Sequence, residues 1–191
     1  MSTEQCDRAR WFLEVIVRPT VAECAANQAD VRRGFLAAIV VSHLADYLFE
    51  AATGPWEEGP DRWKDEKERK RALDGRRKAL DRFRRDLAQE NPNFLIVSDV
   101  ANAAKHVSLA PHQGRVFGIS PPSVDAVQAK TQEVWGLGHG SRARGTVPDA
   151  DGKVRYRHVV VRHRDGSDWF LHGVVQEAMW FLEKKLAASV T

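Results

Sequence analysis

The stretch VRRGFLAAIVVSHLADYLFEAA, residues 31–52, decides the fold that we expect for this chain. Its apolar side chains recur at helical spacing and wrap most of the circumference of a helix. This pattern is typical of a helix that is buried among several neighbours. Asp30 can cap its first turn, and Gly54 can end it. The pattern therefore predicts a long helix at the centre of a helical bundle.

Further segments with the helical period lie on both sides of this central helix. They are residues 3–17, the strongly charged run 61–90, residues 94–109 and residues 171–188. Pro19 is expected to end the first segment or to start a short second helix over residues 21–27. Gly75 could break the charged helix, and Asn93 can cap the helix that follows it.

The composition of the sequence changes after Pro111. Gly, Pro and Ser become frequent there, and apolar residues alternate with polar ones. Residues 115–119, 131–137 and 153–163 are strand candidates, and the Asp165-Gly166 turn leads to a fourth at 167–171. We therefore predict a mainly α fold, a bundle of four or more helices with a small antiparallel β-insertion before the C-terminal helix. A single domain is expected over 1–191, with the bundle at 3–110 and 171–188 and the insertion at 111–170.

Composition favours a globular protein of the cytoplasm, since 43% of the 191 residues are hydrophobic and 29% are charged. The longest apolar run, residues 34–41, is shorter than a bilayer needs, so no membrane partner is expected. The first residues are charged and lack the apolar core of a secretion signal. Cys6 and Cys24 have no CxxC spacing, so we interpret them as small apolar residues rather than as a zinc or redox pair.

Two helices carry polar side chains at positions i, i+3 and i+7, which lie on one face of a helix. In residues 94–109 these are Asp99, Asn102 and His106, and in the central helix they are His43, Asp46 and Glu50. Buried polar groups need partners, and two such stripes could find them across the bundle. This placement is the most site-like feature of the sequence.

One interpretation of the two stripes is a divalent metal site between bundle helices, in a metal-dependent enzyme. The imidazoles and carboxylates that could serve as ligands belong to His43, Asp46, Glu50, Asp99 and His106. However, neither HExxH nor a pair of Glu-x-x-His motifs is present. Hydrogen bonds within each stripe explain the same residues without a metal.

A second interpretation comes from ANAAKH, residues 101–106, which resembles the RNxxxH signature of HEPN-family helical bundles. The resemblance covers these six residues and the bundle context. It implies metal-independent RNA cleavage, often at the interface of a homodimer, with His106, Asn102 and Asp99 as the candidate catalytic residues. Ala101 stands where the family has arginine, which removes a charge that would stabilise the scissile phosphate. Arg32 is a candidate replacement for phosphate binding, because on an ideal helix it lies about 20° from the face of His43.

Basic residues are concentrated in one part of the chain, although the net charge is only +3. Residues 61–86 carry 12 basic and 7 acidic side chains. The basic helix at 62–85 and the loop GLGHGSRARG at 136–145 are candidate contacts for RNA or for an acidic protein, although a solvated helix face and a flexible hairpin tip explain them too. Catalysis is not required to explain any residue. The leading interpretation is therefore a binding or interaction module, with the ribonuclease and the metal-dependent enzyme as alternatives.

Overall fold

The computed structural model describes residues 3–54, 65–105, 127–134, 154–162 and 168–188. Its α-helices are α1 (Thr3–Phe12), α2 (Arg18–Ala26), α3 (Val31–Thr53), α4 (Glu66–Glu90), α5 (Pro92–Lys105) and α6 (Leu171–Ala188). Its strands are β1 (Val127–Val134), β2 (Val154–Arg162) and β3 (Asp168–Phe170). The fold is mainly α with a small antiparallel sheet before the C-terminal helix, which confirms the predicted fold class.

The central position of α3 follows from its sequence. The Asp30 side chain accepts a hydrogen bond from the backbone N–H of Arg33 at 3.1 Å and so caps the first turn. Gly54 ends the helix with a φ of 86°, in the region that favours glycine. Between these ends α3 packs against α1, α2, α4, α5 and α6. Among the described helices, α3 alone has the length and apolar composition of a membrane span, and a buried core helix has the same properties.

The first helical segment continues past Pro19 instead of ending before it. A π-helical turn, Leu13–Val17, joins α1 to α2, and within it the Arg18 N–H bonds back to the Leu13 carbonyl. Pro19 has no N–H to donate, and it lies in the first turn of α2, where this donor is not needed. The Thr20 hydroxyl also donates to the Ile16 carbonyl at 2.7 Å. Of the two expectations for Pro19, the start of a short second helix is confirmed, with α2 beginning at Arg18 and ending at Ala26.

The charged helix and its successor begin at caps that the structure defines. Asp65 accepts a hydrogen bond from the Glu68 N–H at 2.7 Å, and α4 then runs through Gly75 without a break. The cap of α5 is Asn91, whose side chain accepts from the Phe94 N–H at 3.1 Å, and not Asn93 as expected. Pro92 explains this difference, because proline favours the first position inside a helix.

The sheet has the strand order β1-β2-β3, and both pairs are antiparallel. β1 begins at residue 127, four residues before the predicted strand. Val159 and Val161 of β2 are buried in the core, and the Val159 N–H donates to the Gln28 carbonyl at 2.7 Å. The sheet is therefore tied to the loop that precedes α3. The strand candidate at 115–119 and the Asp165-Gly166 turn lie outside the described residues.

A close contact joins the start of α3 to the start of α6. Gly34 lies against Leu171, and a Cβ atom added at Gly34 would be 2.7 Å from Leu171 Cδ2. Leu171 is fully buried, together with the apolar residues that follow it at helical spacing in α6. A larger side chain at Gly34 would therefore have to displace a core residue.

Candidate functional site

Asp99 lies in the core, in the middle of α5. It is 2% exposed, and its Oδ2 atom has no hydrogen-bond partner among the described residues. Burial raises the pKa of this carboxyl to about 7, because the charged form loses its hydration. The neighbouring Ser98 hydroxyl is also buried without a partner in that part of the chain. A carboxyl that titrates near neutral pH is a recognised mark of functional sites.

The rest of the predicted stripe on α5 is described only in part. Asn102 is half-buried, one turn after Asp99 on the same helix. Ala101, at the position where HEPN bundles have arginine, is buried with 1% of its surface exposed. His106 lies outside the described residues, so the complete set of Asp99, Asn102 and His106 stays a prediction.

The carboxylates of the second stripe contact α4. Arg84 binds Asp46 through three short contacts, with Nε at 3.0 Å from Oδ1 and Nη2 at 2.6 Å from Oδ1 and 2.8 Å from Oδ2. Arg76 lies 3.6 Å from Glu50, donates to the Gly54 carbonyl at 3.1 Å, and covers the Phe49 ring at 5.3 Å. The helical spacing on α3 does not indicate Arg84 and Arg76 as partners. Both belong to the basic helix at 62–85, the candidate contact for RNA or an acidic protein.

These contacts bear on the predicted metal ligands. The carboxylates of Asp46 and Glu50 already have arginine partners, and His43 is half-buried one turn before Asp46. Within the described ranges, no group of three or more His, Cys, Asp or Glu side chains is arranged to hold a metal ion. The complete ligand set includes His106, so the metal site remains a prediction.

Arg32, the candidate phosphate-binding residue, is exposed in the first turn of α3. It precedes His43 by eleven residues, which is about 16 Å along the helix axis. The shared angular face does not by itself bring the two side chains together, because the helical rise separates them.

The outward surface of α4 is strongly basic. We name it the basic face and define it by Lys67, Lys70, Arg71, Arg77, Lys78, Arg82 and Arg85. At 100° per residue these seven cations lie within about 80° of one direction. Leu80, Phe83 and Leu87 lie on the opposite side of the helix and are buried or half-buried. Asp74 and Asp81 are the only acidic residues of α4 in the sector of the basic face.

Most cations of the basic face are available to a partner. Lys78 pairs with Asp74 at 2.7 Å, and this contact lowers the pKa of the Asp74 carboxyl. The other six have no ion pair with any residue that the structure describes. All six are exposed except the half-buried Arg85. The predicted basic loop at 136–145 lies outside the described residues.

A cluster of two histidines and a phenylalanine joins the sheet to α6, and no sequence motif indicates it. The rings of His158 and His172 stack 5.3 Å apart, and Phe170 lies against both rings. Burial lowers the pKa of each histidine, and the charge of His158 lowers that of His172 further. The feature that could have indicated this cluster is the strand register. Val160 opposes Phe170 across the sheet, and His158, two residues before Val160, shares its face.

Comparison with known proteins adds no information on function, so the proposal below rests on the geometry of these residues. No family model, curated protein or solved structure matches the chain.

Proposed function

We propose that this protein is a helical-bundle module that binds RNA through the basic face of α4. The observation that supports the proposal is the row of six cations without an ion pair among the described residues. The basic face has seven cations and only two carboxylates in its sector, and a polyanion relieves the repulsion among the excess cations while it releases its own counterions. The row extends from residue 67 to residue 85, about 27 Å along the helix. This length suits a run of phosphates better than a single anion.

The orientation of α4 about its own axis also favours RNA binding. Asp46 and Glu50 of α3 bind Arg84 and Arg76, whose side chains are 25% and 22% exposed. Those contacts fix which side of α4 faces the bundle, because a rotated helix would break both of them. The remaining cations are thereby held toward solvent on a rigid element, as a binding surface requires.

The chemistry of the basic face favours contacts to the backbone over contacts to bases. None of its side chains is aromatic, and Phe83 packs against Phe49 at 5.7 Å between ring centroids. Stacking on unpaired bases is therefore not expected from this surface. Binding should be largely independent of sequence and strongly dependent on salt.

The test is a fluorescence-polarisation titration with a 20-base-pair RNA duplex. Four to six phosphate contacts predict that affinity falls by about 10² to 10³ between about 50 and about 200 mM salt. The double variant Arg71→Glu/Arg82→Glu should bind at least about tenfold more weakly and with a smaller salt slope. The control Arg8→Glu/Arg10→Glu makes the same change of net charge on α1.

Two results would overturn the proposal. One is absence of binding at low salt, and the other is an equal loss of affinity in the α1 control. A duplex DNA of the same length should bind comparably if only the phosphate backbone is recognised. Tight binding to polyglutamate but not to RNA would instead assign the surface to an acidic protein partner.

A second candidate function is cleavage of the bound RNA, which the resemblance to HEPN bundles implies. The observation in its favour is the raised pKa of Asp99, a carboxyl that can exchange a proton near neutral pH. Because Asp99 is buried, it would act as a positioning residue rather than touch the substrate.

This second candidate predicts RNA cleavage that persists in EDTA. Asn102→Ala and His106→Ala should each lower the single-turnover rate without weakening RNA binding, because the basic face is unchanged. Intact RNA after prolonged incubation with the wild-type protein would leave the binding function alone.

A further inference from the structure

A groove runs between α1 and α3, and no residue of the basic face lines it. Its lining consists of Glu4, Asp7, Arg8 and Trp11 from α1 and Tyr47 from α3. The residues of α1 recur at helical spacing, so they form one continuous wall of the groove. The cavity has a volume of about 650 Å³ and is open to solvent. Volumes of this order are typical of ligand sites.

Two aromatic rings of this groove are available to a ligand. Tyr47 stacks on Phe12 with 4.3 Å between ring centroids and 14° between planes. This contact fixes the orientation of the Tyr47 ring. Trp11 is 57% exposed, the largest exposed fraction among the described large apolar side chains. An exposed indole that lines a cavity is a common contact for a binding partner.

The charged side chains that line the groove have a net charge of −1. The groove lining contains two carboxylates, Glu4 and Asp7, and one guanidinium, Arg8. Arg8 lies 3.1 Å from Glu4, and Asp7 is held 3.2 Å from Arg10, outside the groove. Between 47% and 68% of each of these side chains is exposed, so their mutual ion pairs are weak and an incoming cation can replace them.

We infer that this groove binds an arginine side chain presented by a protein partner. A guanidinium can stack on Trp11 or Tyr47 and at the same time donate hydrogen bonds to the Asp7 carboxylate. The groove is much larger than a guanidinium, and the remaining space accommodates the backbone on either side of the arginine. Neither the aromatic rings nor the carboxylates belong to α4, so this inference does not rest on the proposed RNA binding.

The test uses the capped tripeptide Gly-Arg-Gly and its analogue with citrulline in place of arginine. Citrulline keeps the shape of the side chain and removes its charge. Titration into ¹⁵N-labelled protein should give saturable shifts of the Trp11 indole signal and of α1 amides. Arginine should bind about tenfold more tightly than citrulline, the ratio expected when a cation–π contact and an ion pair are lost.

Variants separate this groove from other exposed aromatic residues. Trp11→Ala removes its own indole signal and should abolish the saturable shifts of the α1 amides, and Asp7→Asn should weaken binding to the arginine peptide several-fold. Trp180→Ala, at a tryptophan 42% exposed on α6, should leave binding unchanged. Equal affinity for the two peptides, or unchanged binding in Trp11→Ala, would overturn the inference. RNA affinity should be the same for all three variants, which distinguishes failure of this inference from failure of the proposed function.

Discussion

Arg84 of α4 binds both carboxylate oxygens of Asp46 of α3, and this contact joins residues that are 38 positions apart in the sequence. Both side chains are partly shielded from water, with 25% of Arg84 and 34% of Asp46 exposed. The planar guanidinium reaches both carboxylate oxygens, so the contact specifies geometry as well as charge. It is the contact that decides which face of α4 is turned toward the bundle.

Loss of this pair should destabilise the fold. Asp46→Ala leaves the Arg84 guanidinium half-buried without its acceptor, and we expect the free energy of unfolding to fall by about 1 to 2 kcal/mol. Urea denaturation of Asp46→Ala, Arg84→Ala and the double variant gives the coupling energy of the pair. The exposed pair Asp74 and Lys78 is the control, and its coupling should be smaller. Equal coupling in the two pairs would contradict the role that we assign to Arg84.

Asp99 should make stability depend on pH. Its pKa is about 7 in the folded protein and near 3.8 in the unfolded chain, so the folded state holds its proton more tightly. The contribution of Asp99 to the free energy of unfolding is fully present below pH 3.8. It decreases as the pH rises from 3.8 to about 7, and above that pH it stays constant. The difference between the two pKa values sets an upper limit of about 4 kcal/mol on this effect.

Asp99→Asn removes the titration while it keeps the shape of the side chain. The variant should be more stable than the wild type by about 1 to 3 kcal/mol near pH 8, with little difference near pH 4. Urea denaturation at several pH values checks this, with Ser98→Ala as a control that alters a buried polar group without a titration. If the wild type and Asp99→Asn had parallel pH profiles, the raised pKa of Asp99 would be refuted.

Two helical glycines should respond in opposite ways to alanine. Gly75 has open space around it in α4, so Gly75→Ala should stabilise the protein by about 0.5 to 1 kcal/mol. At Gly34 the added methyl group would meet Leu171, and overpacking should outweigh the helix propensity, with a net loss of about 1 kcal/mol. Thermal denaturation of the two variants tests the close approach of α3 and α6. Stabilisation by Gly34→Ala would show that this contact is looser than described.

Local sequence was sufficient for the helices and most of their ends. The apolar period of residues 31–52 and 171–188 predicted α3 and α6, and Asp30 and Gly54 marked both ends of α3. These signals are local because a cap or an apolar stripe involves residues within one or two turns. The cap of α5 was misplaced by two residues, because Asn91 and Asn93 have the same capping chemistry and Pro92 decides between them.

The partners of the polar residues could not be predicted in the same way. The spacing of His43, Asp46 and Glu50 suggested that this stripe and the Asp99 stripe could meet. In the structure Asp46 and Glu50 contact Arg84 and Arg76 of α4, which the spacing does not indicate. Periodicity gives the angle of a side chain around its own helix, but not which neighbour packs on that face. The stacked His158 and His172 were missed for the same reason, because a strand and a helix bring them together.

By itself, the sequence determined the mainly α fold, the buried central helix, and a highly charged helix whose apolar side faces the bundle. Each of these follows from the free energy of burying an apolar stripe, which depends on spacing along one segment. Only the tertiary structure decided that two arginines of α4 point inward while the basic face points outward, and that Asp99 is buried without a hydrogen-bond partner among the described residues. Those outcomes depend on how helices rotate and pack against one another, which is set by contacts between residues far apart in the chain.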